Sequence, residues 1–274
     1  MNHETGFFES TGGLKLFEQR WLPAGTPRAV VAIVHGYAEH SGRYEWTAGR
    51  LTARGYAVEA LDLRGHGRSD GERVFVDAFE EYLDDVERFL ERVRGRHPGQ
   101  PVFLLGHSMG GGVVTCFVVA RKPALAGVLL SGSAMLSPRP APDPGTPPPP
   151  PGPLPASTIS RDPAVVAAYE HDPLVYRGAP RTDRAKAMGA AFALVQGGME
   201  SITVPLLIMH GTGDLLAPPE GSRRLYERAG SRDKTLKLYE GLYHEILNEP
   251  EKEQVIADVL AWLDERTAPA GSAS

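Results

Sequence analysis

Apolar positions along this chain recur in two alternating rhythms. Continuous or every-other-residue runs read as strands at Phe7–Ser10, Leu14–Trp21, Ala29–Val34, Tyr56–Leu61, Val102–Leu105, Leu125–Leu130, Val204–Met209 and Thr235–Tyr239. The first two, joined by Thr11-Gly12-Gly13, read as a hairpin. Between the later runs the spacing changes to three or four. Tyr82, Leu83, Val86, Phe89, Leu90 and Val93 form one helical stripe, with Glu81, Asp84, Asp85, Glu87, Arg88 and Glu91 outside it. Further helices are predicted near Arg43–Arg54, over Met109–Arg121, near Pro219–Ala229 and through Val255, Ile256, Val259, Leu260 and Leu263. Runs such as Ala29–Val34 are apolar on both faces, and strand–helix alternation requires parallel crossovers. The pattern predicts an α/β fold with a mostly parallel, doubly wound sheet of eight strands.

The alternation breaks once. Nearly half of the 24 prolines fall between Ser137 and Pro155, including Pro147–Pro151. A residue with no N–H and a fixed φ builds neither an interior helix nor a central strand. Helical patterning resumes at Pro163–Tyr169 and Arg184–Val195. Residues 132–202, with the proline-rich part at 138–155, therefore read as a cap, or lid, inserted at the C-terminal end of a strand. Residues 1–131 and 203–268 form the core, and 269–274 a flexible tail.

Composition narrows the function classes. A net charge of −5 with no basic run excludes a field for nucleic acid. The N-terminus has no basic, apolar leader, and no apolar run approaches a membrane span, so a cytoplasmic protein is expected. One cysteine, Cys116, excludes an intramolecular disulfide and reads as a core residue. No histidine or cysteine pair stands at zinc spacing, and Gly65 to Gly71 departs from the dinucleotide-binding spacing. Neither a metal nor a cofactor is implied.

The chemistry gathers at Gly106-His107-Ser108-Met109-Gly110, which lies between a buried strand and a helix. A serine at the apex of such a turn projects over the sheet edge beside a helix N-terminus. It becomes a nucleophile if a base and an acid follow in the order Ser, acid, His. Asp214 lies just past a strand in Gly211-Thr212-Gly213-Asp214, whereas the preceding strand end, Ser131-Gly132-Ser133, carries no carboxylate. His244 follows the next strand and is the last of nine histidines. The oxyanion donors expected are the backbone N–H groups of Met109, after the serine, and of Tyr37, in the loop after Ala29–Val34. His35 is expected to be structural, bonded to the loop backbone.

With these residues placed, the chain resembles the monoacylglycerol lipase family of α/β-hydrolases, especially its bacterial members. The segments His35–Tyr44, Asp62–Arg73, Gly106–Gly110, Ser160–Pro163, His171–Leu174 and Gly241–Pro250 are similar to the family's pattern. The resemblance covers nearly everything outside Ser137–Pro155, where proline stands in place of the family's apolar cap helix. It implies an α/β-hydrolase fold and cofactor-free hydrolysis of monoacylglycerols to glycerol and fatty acid. Ser108 matches the nucleophile, Asp214 the acid, His244 the base, and Tyr37 and Met109 the oxyanion donors. Glu39 and Arg43 fall near the glycerol pocket and Tyr169 on a cap tyrosine facing the glycerol. On the residues themselves Glu39 and Arg43 read first as an i,i+4 ion pair that stiffens the oxyanion loop. The partner implied is a small lipid ester, with at most transient membrane or micelle contact through the cap. The alternatives are a broader carboxylesterase or lysophospholipase on the same triad, and a non-catalytic hydrolase-fold binding protein.

Overall fold

The computed structural model describes residues 1–134, 136, 154–178 and 185–268. Most of the proline-rich stretch and the expected tail at 269–274 lie outside them. Eight strands form one sheet: β1 (Asn2–Glu9), β2 (Lys15–Leu22), β3 (Val30–Val34), β4 (Ala57–Leu61), β5 (Val102–His107), β6 (Gly127–Ser131), β7 (Leu206–Gly211) and β8 (Lys234–Tyr239). Their order is β1-β2-β4-β3-β5-β6-β7-β8. β2 runs antiparallel to both neighbours, and every pair from β4 to β8 is parallel.

Side-chain alternation along the buried strands feeds two cores. Val30, Ala32 and Val34 face one side, with α2 (Glu80–Arg96), α3 (Met109–Arg121), α5 (Ala185–Gly198) and α6 (Glu220–Arg228). Val31 and Ile33 face the other, with α1 (Glu45–Ala53) and α7 (Lys252–Thr267). Helices on both faces of a mostly parallel sheet make it doubly wound, as the pattern predicted. The chain runs outward from β3 to β4, then returns past β3 to β5 and proceeds the other way. The order reverses between β3 and β5, so their C-terminal ends flank the crevice where such sheets take ligands.

Two local expectations need revision. β1 starts at Asn2, not Phe7, because it is an edge strand held by backbone pairing and its side chains are mostly exposed. Asp85, placed outside the α2 stripe, is fully buried. The Arg64 fork holds both its oxygens at 2.6 and 2.7 Å, and the Ser10 hydroxyl donates to it as well. A bidentate guanidinium makes a buried carboxylate tolerable.

The crossover from β6 to β7 has two described parts. α5 packs on α3 and adds Ala187, Ala191 and Val195 to the first core, where Cys116 is also buried. Residues 154–178, with α4 (Pro163–His171), form a small cluster of Ala156, Ile159, Tyr169 and Val175 that touches Leu216 after β7. Among the described residues no helix is long and apolar enough to cross a membrane.

Candidate active site

Ser108 joins β5 to α3 at φ 52°, ψ −118°. A side chain on the positive-φ side costs about 1–3 kcal/mol and persists only where its surroundings impose it. Here they do. Its N–H donates to Ser131 O at 3.0 Å and its carbonyl accepts from Ala134 N at 2.9 Å. The two flanking glycines allow the close packing. A Cβ on Gly106 would stand 2.6 Å from Gly110 O, and one on Gly110 would stand 2.3 Å from both Val34 O and His35 O.

Three side chains, from the ends of β5, β7 and β8, meet above the sheet. Ser108 Oγ lies 2.7 Å from His244 Nε2, and His244 Nδ1 lies 2.7 Å from Asp214 Oδ2. The other Asp214 oxygen accepts from the backbone N–H groups of Leu216 and Ala217 at 2.8 and 3.0 Å. Burial alone would raise this carboxyl, but the hydrogen bonds from His210 and His244 outweigh it and hold it well below the usual carboxylate range. Gly132, at φ 52°, lies beneath the pair. A Cβ there would stand 2.8 Å from His244 O and 3.5 Å from Asp214 Oδ2, so the strand end without a carboxylate is the floor of the pair.

The loop after β3 closes the other side. A Cβ on Gly36 would stand 3.1 Å from Ser108 Cβ, which brings Tyr37 and the first residue of α3, Met109, to one end of the crevice. First-turn N–H groups have no intrahelical acceptor, so that of Met109 is available to a ligand by position. His35 serves the loop: Nδ1 donates to Gly36 O at 2.8 Å while Nε2 accepts from Leu63 N at 2.9 Å. His107 rests its ring against that of His244, with centroids 4.9 Å apart. Burial first, then the neighbouring His244, lowers its imidazole to about 4.

Beneath this loop Glu39 and Arg43 form the ion pair, joined by a residue the sequence reading did not single out. Glu39 Oε1 accepts from Gly36 N at 2.6 Å and from the Tyr44 hydroxyl at 2.9 Å. Arg43 bonds Glu39 Oε2 at 2.9 Å and grips both oxygens of Glu245, next to His244, at 2.6 and 2.7 Å. The guanidinium also lies 4.9 Å from the centre of the Tyr169 ring. One buried cation thus ties the β3 loop, the His244 loop and α4. Its only sequence signal is that Glu245 adjoins His244; pairing across 202 residues leaves no local pattern.

Burial would raise the Glu39 carboxyl, but the Arg43 charge and the donors around it bring it from its ordinary 4.5 down to about 2. A folded-state value below the unfolded one stabilises fully above the unfolded value, and that stabilisation is lost as pH falls from 4.5 towards about 2. The thermal midpoint of the wild type therefore falls more steeply across that window than that of Glu39→Gln. A pH series of melting curves tests this, and equal slopes would refute it.

The strip 154–178 is fastened to the same two loops. Tyr176 N donates to Ala38 O at 2.8 Å, and His40 Nε2 pairs with Asp172 at 2.8 Å. Glu245 N donates to Ile159 O at 2.8 Å, and Ser160 Oγ to Asn248 O at 3.1 Å.

Comparison with known proteins places the chain in a family. Residues 25–251 match a family described as Serine aminopeptidase, S33. The chain is 41% identical over 266 residues to a monoacylglycerol lipase of Mycolicibacterium smegmatis, covering 93% of this chain and 95% of that one. It is 38% identical to the human monoglyceride lipase, covering 96% of this chain and 91% of that protein. The crystal structure of Paleococcus ferrophilus monoacylglycerol lipase superposes with a TM-score of 0.76 at 32% identity, over 92% of this chain and 99% of that one. Sequence, sheet order and structural likeness converge, and the chain belongs to the monoacylglycerol lipase family of α/β-hydrolases.

Proposed function

We propose that this protein is a serine hydrolase that cleaves monoacylglycerols to glycerol and a free fatty acid. The observation that carries the reading is the unbroken line of contacts from Ser108 Oγ through His244 to Asp214, each 2.7 Å long. Ser108 Oγ attacks the ester carbonyl as His244 Nε2 takes its proton, and Asp214 stabilises the imidazolium. The tetrahedral oxyanion sits against the N–H groups of Tyr37 and Met109. The ester C–O bond breaks as His244 gives its proton to the departing glycerol oxygen. Water then attacks the acyl-enzyme, again through His244, and releases the acid and the serine.

The substrate class comes from the relatives, whose names state monoacylglycerol or monoglyceride. In this reading the glycerol rests towards Tyr169, with Glu39 and Arg43 holding the wall behind it. Residues 132–202 act as the cap. The enzyme works in the cytoplasm, touching membrane or micelle transiently through that cap.

A substrate panel tests the reading. Monoacylglycerols of graded chain length, a lysophospholipid, a triacylglycerol and an aminoacyl anilide are compared by kcat/KM, alongside labelling by a fluorophosphonate. Monoacylglycerols should be turned over best and the serine labelled. A preference for the lysophospholipid or the anilide would replace the substrate assignment, and absence of labelling would end the hydrolase reading.

A further inference from the structure

His210 lies at the end of β7, is fully buried, and is not part of the reaction described above. Its Nε2 stands 3.0 Å from Asp214 Oδ2, the same oxygen that faces His244, and 2.9 Å from Ala217 O. Both neighbours are acceptors, so this nitrogen carries the hydrogen. Its Nδ1 stands 2.7 Å from the Ser222 hydroxyl on α6. With the hydrogen on Nε2 fixed by those two acceptors, Nδ1 is left to the Ser222 hydroxyl, which holds the far side of the ring. A continuous line therefore runs from Ser222 through His210, Asp214 and His244 to Ser108.

We propose that His210, its Nε2 hydrogen directed by Asp214 and Ala217 and its far nitrogen held by Ser222, is a positioning residue that directs Asp214 Oδ2 at His244 and moderates the basicity of that carboxylate. The proposal rests on the hydrolase reading above. Leu216 and Ala217 hold only Oδ1, so His210 is the second anchor that stops the carboxylate pivoting about the first. Each N–H donated to Oδ2 also withdraws electron density from it. With one donor fewer, the oxygen binds the His244 proton more strongly, and the imidazolium becomes a poorer proton donor to the leaving alkoxide. The other titratable groups facing the pair are His107 at the end of β5 and, around Arg43, Glu39 and Glu245. None of these is changed by substitution at 210.

The test compares wild type with His210→Leu, His210→Gln and Ser222→Ala in the full chain, reading kcat and KM against pH and fluorophosphonate labelling rates. For His210→Leu, kcat should fall about 10-fold with KM within about twofold, and the acidic limb of the pH profile should move to higher pH. His210→Gln, whose amide restores an N–H donor, should recover most of kcat and return the limb. Ser222→Ala should lie between. A folded His210→Leu with wild-type kcat and limb overturns the proposal. So do equal losses in the Leu and Gln variants with an unmoved limb, which would mark a packing role. Should His210→Leu fail to fold, Ser222→Ala decides: an unchanged kcat and limb overturns the proposal. A wild type that takes no label overturns the hydrolase reading and this proposal with it. A labelled wild type with variants labelled at its rate and pH dependence sinks the role of His210 alone.

Discussion

Replacing Ser108 by alanine lowers kcat for ester hydrolysis by about 10⁶-fold, the scale on which serine triads fail when their nucleophile is removed. The change deletes one oxygen and nothing else. Both residues carry the same Cβ at φ 52°, so the backbone imposed by Ser131 and Ala134 costs each about the same, and folding stability stays within about 1 kcal/mol of wild type. Only the group 2.7 Å from His244 Nε2 is lost. Initial rates on a monoacylglycerol, with a melting curve on the same sample, separate chemistry from folding. A folded Ser108→Ala protein hydrolysing esters near the wild-type rate would falsify the assignment of the nucleophile.

The second large loss is expected at Asp214→Asn, about 10⁴-fold in kcat near neutral pH. The site directs four donors at this residue: the N–H groups of Leu216 and Ala217 at one oxygen, and His210 and His244 at the other. An amide offers a single acceptor atom. Whichever way it turns, its own N–H₂ faces donors. With the amide nitrogen towards His244, the imidazole gains most by shifting its hydrogen to Nε2, where it points at Ser108 and no longer removes the serine proton. The unmet donors cost stability too, about 1–3 kcal/mol. The wild-type carboxyl is held below its ordinary value, so it stays ionised across the acid range. Its contribution to stability is present above the ordinary value of 3.8 and is lost as pH falls below that. The amide has no such dependence. Kinetics and melting curves between pH 3 and 8 measure both effects; activity within tenfold of wild type would remove Asp214 from the line.

Much of this arrangement could be read from residue order. The eight strands and the helix Met109–Arg121 follow from periodicity because burial on one or two faces forces it. Ser108, Asp214 and His244 each follow a strand, and a parallel sheet brings such ends to one rim. What escaped was pairing between polar groups that only the folded turns bring together. Asp85 reads as solvent-facing until Arg64, 21 residues earlier, is placed against it. His210 looks like one more histidine beside a motif until the turn at Gly211–Asp214 folds the carboxylate back over it. β1 begins early because an edge strand is held by its backbone, and backbone pairing writes no hydrophobic pattern.

The fastening of the strip 154–178 has a mechanical consequence. Its main chain is stitched to Ala38 on one side and to Glu245 on the other, next to Tyr37, one of the two oxyanion donors proposed above, and to His244. A door hinged on that strip would dismantle its own frame with every swing. Traffic of ligand that leaves those stitches whole keeps the catalytic parts in alignment from one turnover to the next.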